Sequence, residues 1–213
     1  MGAVYLVRHG QASFGADDYD RLSEVGAEQS AAVGKELRRR GLEFTGVYCG
    51  TMTRQRDTAL AAGFEPVQDA RWNEYDFLDV LRGHGSGNPD RGDPRRFQAA
   101  LDEALLAWVA AAEGSDCGES WPAFAGRIGT ALEDTVTALG RGENALVFTS
   151  GGVIGAIAAL LIGDQAGRFT PLHRVTCNAG ITKLVAGRSG LTLVAFNEHG
   201  HFEGEGRHLL TYR

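Results

Sequence analysis

The chain has 213 residues, 43% hydrophobic and 23% charged, a size and balance that suit one packed domain and exclude intrinsic disorder and collagen-like repeats. Its 21 Lys+Arg against 27 Asp+Glu leave a formal net charge of −6, which argues against a nucleic-acid partner, because such binders need clustered cations to displace counterions from phosphates. Cys49, Cys117 and Cys177 are far apart with no CxxC and suit a reduced cytoplasm, no export signal is visible, and no membrane segment is expected.

Residues 3–8, AVYLVR, form an apolar, β-branched run ending at Gly10 and are expected to be a buried strand. After a loop rich in small and acidic residues, Ser23 is an N-cap candidate, and Val25, Ala32, Val33 and Leu37 recur at helical spacing until Gly41; this predicts a helix over 23–40. A short strand at 46–49 precedes a second helix, capped by Thr51 or Thr53 and closed by Gly63. The segment 78–96 is dense in Gly, Pro, Asp and Arg without periodicity and is expected to be a lid loop. Helical patterns follow at 95–112 and 120–140, so that 78–140 as a whole predicts an inserted lid and helical region within a single domain 1–213. Strand 144–149, a helix near 152–163 and strands 179–187 and 191–197 complete the chain. The stretch 145–163 approaches transmembrane length, but Thr149, Ser150 and the Gly151-Gly152 pair fit a buried strand, a turn and a buried helix better. Strands interleaved with helices predict an α/β fold, a mostly parallel sheet covered on both faces. An exposed strand edge could pair two copies into a homodimer, although no residue identifies it.

In open α/β sheets, ligands bind beyond the carboxyl ends of the strands. The first strand ends in Arg8-His9-Gly10, a histidine suited to nucleophilic attack on an anion, beside an arginine and a glycine that permits close approach. Arg54 and Arg56 lie on the second helix; Arg56 falls on another face and is expected to be a solvated charge. Glu74 in ARWNEYDF is the candidate acid, with Asp76 as its alternative. Thr149-Ser150-Gly151-Gly152 opens a helix whose N–H groups can meet negative charge. The C-terminal NEHGHFEGEGRH carries His199, His201, Glu203, Glu205 and His208, which could hold a divalent metal, but its glycine spacing fits a loop and no metal is assigned. Arg82, Arg91, Arg95 and Arg96 are either solvated or a grip for a second anionic group on the substrate.

Taken in order, VYLVRHGQAS, LSEVGAEQS, TMTRQRDTA, WNEYDF and VFTSGGVI resemble the histidine phosphatase superfamily, the phosphoglycerate mutase-like family. The resemblance spans nearly the whole chain. It implies a three-layer α/β/α fold and a phosphohistidine formed on His9. Arg8 and Arg54 would bind the phosphoryl oxygens, and Glu74 would protonate the leaving oxygen and then deprotonate water. Gln11 and Ser13, which follow the nucleophile, would be further phosphate donors. Where the family carries a second histidine at the end of the fourth strand, this chain has Ser150, which keeps a donor and loses the charge. Ser150 and the N–H groups of Gly151 and Gly152 would then carry part of the binding, or His201 could reach in to replace the absent ring. The implied activity is a metal-independent phosphatase acting on a small phosphorylated substrate without a cofactor. The alternatives are phosphoglycerate mutase-type transfer, and a weakened relative that binds phosphorylated ligands.

Overall fold

A computed structural model describes residues 2–13, 20–85, 93–188 and 190–212. Six strands form one sheet in the order β3-β2-β4-β1-β5-β6. β1 (Gly2–Arg8), β2 (Gly46–Cys49), β3 (Val67–Gln68) and β4 (Asn144–Thr149) run parallel, and β5 (Ile181–Gly187) and β6 (Gly190–Glu198) add an antiparallel hairpin beside β1. The helices are α1 (Glu24–Arg39), α2 (Thr53–Ala61), α3 (Phe77–His84), α4 (Pro94–Ala111), α5 (Trp121–Thr137), α6 (Gly151–Ile162) and α7 (Gln165–Val175).

Side chains alternate across β1 because successive residues of a strand face opposite ways. Ala3, Tyr5 and Val7 pack with Val33 and Leu37 of α1, Ala59 of α2, and Phe202 and Leu209 of the C-terminal turns. Val4 and Leu6 pack on the other face with Trp72, Trp108, Phe124, Ile154 and Phe169. These two cores make three layers. The helices α3 to α5, expected as an inserted lid region, contribute Val80, Leu101, Trp108 and Phe124 to the same core as the central strands.

The periodic segments fall where the pattern places them, within a residue or three at their ends. Ser23 caps α1 by accepting from Gly26 N at 3.0 Å. α2 differs, since neither Thr51 nor Thr53 caps it; its N-cap is Met52, and Asp20 in the preceding loop accepts from Thr53 N at 2.7 Å. The expected loop at 78–96 begins as helix, because Asp76 accepts from Leu78 and Asp79 N–H groups and starts α3. α7 and β3 carry no periodic signal in the sequence. α7 carries Pro171 inside it, and β3 is two exposed residues at the sheet edge, so each lacks the periodic signal that marks the others. Among the described residues no helix is long and apolar enough to cross a membrane.

Candidate active site

β1 and β4 lie side by side at the centre of the sheet, and the chain leaves them to opposite faces, towards α1 and towards α6. Their carboxyl ends thus form a topological switch point, where a crevice opens. His9 N donates to Thr149 O at 2.8 Å, locking the two ends together. Behind His9 the backbone presses on α1: a side chain at Gly10 would come within 2.3 Å of Gly26 O, so only glycine fits. Asn178 donates to His9 O, and Thr58 accepts from Gly10 N.

His9 is buried, and its two ring nitrogens have distinct partners. Nδ1 lies 2.7 Å from Gly10 O, which can only accept, so Nδ1 carries the proton. Nε2 accepts from Arg54 Nε at 3.2 Å and therefore presents a lone pair. Burial, reinforced by the charges of Arg54 and Arg8, holds the imidazole well below its ordinary range. The ring is neutral at neutral pH.

The two arginines are held from behind. Arg54 is 8% exposed, and its Nη1 donates to Asp20 Oδ1 at 2.6 Å. Asp20 thereby caps α2 and aims the guanidinium with one carboxylate. Arg8 Nη1 donates to Thr176 O and, at 2.9 Å, to Tyr212 O, so the C-terminal tail orients it.

Glu74 follows a tied corner: Trp72 O accepts from both Thr149 Oγ1 at 2.7 Å and Gln55 Nε2 at 3.2 Å. Its own carboxylate accepts from Gly152 N at 2.8 Å and Tyr75 N at 3.3 Å. Burial pushes its carboxyl above the usual range, against the opposing pull of the Gly152 N–H, Arg54, Arg8 and the Tyr75 N–H. A neutral imidazole and a carboxyl with a raised pKa share one cavity, an arrangement in which one group can attack and the other can give a proton at the same pH.

That cavity, of about 110 Å³, is lined by Arg8, His9, Ala12, Arg54, Glu74, Tyr75, Phe77, Phe97, Gln98, Leu101, His173, Arg174 and Tyr212. Arg8, His9, Arg54 and Glu74 are thus brought together as the sequence predicts. The remaining expected groups are placed otherwise. Gln11 Oε1 accepts from Ser23 Oγ, Ser13 N donates to Arg21 O, and neither residue lines the cavity. Ser150 is fully buried and turned away, accepting from Gln55 Nε2 at 2.7 Å. Its hydroxyl serves the scaffold rather than the crevice. Gly151 stands beside the site, with Arg8 Nε 3.4 Å from where its Cβ would be.

Asp76 is the cap of α3 and does not line this cavity; it lines a second one of about 390 Å³ that shares Glu74 and Tyr75 with the first. His201 does not reach the crevice: its Nε2 bonds Ala179 O at 3.1 Å, and burial lowers its pKa to about 4. The C-terminal histidine and glutamate run forms two short 3-10 turns, Gly200–Phe202 and Gly204–Leu209, and among the described residues no group of three His, Cys, Asp or Glu side chains is placed to hold a metal. Arg82 and Arg96 are exposed and pair with Asp79 and Asp93 of their own helix starts, and Arg95 is exposed beside them. None of the three lines the cavity, whose walls are Phe77, Phe97 and Leu101, so the expected second anion grip is not built from them. Arg91 lies outside the described residues. Asp20, Tyr212 and His173 are the groups sequence reasoning missed. Asp20 sits in an acidic loop in which no position stands out, and the other two reach the crevice only through tertiary packing.

The family model of the histidine phosphatase superfamily (branch 1) matches residues 4–199. No curated protein matches. Among solved structures, the phosphoserine phosphatase of Entamoeba histolytica in complex with 3-phosphoglyceric acid is similar at a TM-score of 0.66 and 18% identity, covering 94% of this chain and 99% of that one. The alpha-ribazole phosphatase of Shigella flexneri is similar at a TM-score of 0.65 and 20% identity over 92% of this chain and 96% of that one. A phosphoglycerate mutase of Bacillus anthracis is similar at 0.65 and 19% identity over 93% and 94%. At these identities the likeness establishes the fold.

Proposed function

The chain belongs to the histidine phosphatase superfamily, branch 1, and from that premise we propose that it is a metal-independent phosphatase that hydrolyses a small phosphomonoester through a phosphohistidine on His9. The observation that carries this reading is the pairing of a neutral His9, its Nε2 lone pair turned to Arg54, with Glu74, whose carboxyl burial shifts upward, in the same cavity.

In the first step, Nε2 forms a bond to phosphorus as the ester P–O bond breaks, and Glu74 gives its proton to the departing alkoxide. In the second, Glu74 takes a proton from water, the water oxygen attacks phosphorus, and the N–P bond electrons return to His9. Inorganic phosphate leaves and both residues are restored. The charge of the three equatorial oxygens is met by the guanidinium groups of Arg8 and Arg54, fixed in advance by Asp20 and the tail. Phe77, Phe97 and Leu101 would hold the alcohol portion of the ester. Arg174 and Tyr212 at the rim are exposed, which favours access of water and therefore hydrolysis over retention of the phosphoryl group. Three unpaired cysteines, two of them buried, fit the proposed cytoplasmic setting.

Hydrolysis of p-nitrophenyl phosphate by wild type and His9→Ala, with and without EDTA, tests the reading. Chelator-resistant turnover that disappears in His9→Ala is expected. Turnover that survives in His9→Ala refutes it, and a long-lived phosphoenzyme that hands its phosphoryl group to a second alcohol identifies a mutase instead.

A further inference from the structure

We propose that His173 is a further catalytic residue of this site, donating a ring N–H to the phosphoryl group beside Arg8. The proposal rests on the phosphatase reading above and adds to it a residue from a helix outside the matched motifs.

Three observations carry it. His173 belongs to α7, yet it lines the same cavity as Arg8, His9, Arg54 and Glu74. It reaches there because α7 lies directly on α6: a Cβ at Gly155 would stand 3.1 Å from His173 N and 3.2 Å from its Cα. One helical turn earlier, a Cβ at Gly151 would stand 3.3 Å from His173 Cδ2 and 3.4 Å from Arg8 Nε. The imidazole edge and the Arg8 guanidinium therefore flank one point at the mouth of the first turn of α6.

The ring is also held in a defined orientation. It stacks on Phe169 at 5.7 Å with planes 16° apart, and meets Tyr75 edge to face at 5.8 Å and 68°. Tyr75 is the neighbour of Glu74, so the same aromatic contact references the imidazole to the acid. A stacked ring keeps its nitrogens in the plane between its packed faces, and a donor fixed in this way loses little on meeting a developing charge.

Packing and donation are separable by substitution. His173→Phe keeps the aromatic stack and removes the N–H, whereas His173→Gln removes the ring and keeps a donor. The experiment compares both with wild type for kcat and KM on p-nitrophenyl phosphate, for the binding of inorganic phosphate by calorimetry, and for Tm. The expected result is a loss in His173→Phe of about a hundredfold in kcat/KM, with weaker phosphate binding at unchanged Tm, and a smaller loss in His173→Gln. His173→Phe with wild-type turnover and phosphate affinity overturns the proposal, while the loss of activity in His9→Ala leaves the phosphatase reading intact. If wild type binds phosphate but turns nothing over, the phosphatase reading fails, and phosphate affinity in His173→Phe still decides the contact. No phosphate binding and no turnover in wild type overturns both.

Discussion

Substituting Gly152 by alanine displaces Glu74 together with the ring of Tyr75. Gly152 N is the donor to Glu74 Oε2 at 2.8 Å, and a Cβ at this position would stand 2.2 Å from Glu74 Oε1 and 2.6 Å from Tyr75 Cε1. Neither distance is tolerable, so the carboxyl and the Tyr75 ring must move by about an ångström. Gly152 is helical, and alanine there gains roughly 1 kcal/mol of helix propensity, which partly offsets an overpacking cost of about 1–3 kcal/mol. The fold therefore survives while the acid is displaced. A positioned general acid contributes on the order of 10²–10⁴-fold. That contribution is needed for a poor leaving group such as an alkyl alcohol, and is largely dispensable for p-nitrophenol, which departs readily as an anion. Gly152→Ala is expected to lose about a hundredfold or more in kcat on an alkyl phosphate and about tenfold or less on p-nitrophenyl phosphate. Equal losses on both esters, or none on either, would refute the assignment of Glu74 as the acid held by Gly152.

Asp20→Ala removes the carboxylate that both aims Arg54 and caps α2. A fall of about ten- to hundredfold in kcat/KM is expected from steady-state kinetics, and an unchanged value would show that Arg54 needs no such anchor. Burial raises the Glu74 pKa and lowers that of His9, so activity is expected to decline on the alkaline side as Glu74 ionises, and on the acid side only well below the ordinary histidine range. The same shift bears on stability. A carboxyl raised in the folded state favours folding below its unfolded pKa and loses that contribution as pH rises through the folded value. Glu74→Gln should therefore gain Tm relative to wild type between acidic and neutral pH, and a difference independent of pH would count against a raised pKa. Ser150→His places a ring where a fully buried serine accepts from Gln55. A loss of about 1–3 kcal/mol by chemical denaturation, with no gain in turnover, is expected, and a more active, equally stable variant would contradict this placement.

The fold and the grouping of Arg8, His9, Arg54 and Glu74 were legible in the chain because their signals are local. β1, α1, β2 and β4 announce themselves through apolar runs and helical periodicity, and Ser23 through its position before α1. His9, Arg8, Arg54 and Glu74 sit at strand ends and on the following segments, where topology converges whatever the detailed packing. α3 was hidden because Asp76 starts a helix inside a stretch whose Gly and Pro content suggests loop, and α7 because Pro171 interrupts its pattern.

Side-chain direction was beyond the sequence. Ser150 occupies a position from which a hydroxyl can point into the crevice or towards α2, and the Gln55 bond decides for α2. His201 and His173 are equally plain in composition. One is held by Ala179 O away from the crevice, and the other is carried into it by the contact of α7 with Gly151 and Gly155. Asp20 gains its meaning only when the loop before α1 meets the start of α2. Periodicity, capping and motif spacing depend on a few neighbouring residues and can be read along the chain. Which of several polar groups faces a shared cavity depends on how distant elements dock, and that is decided by packing in three dimensions.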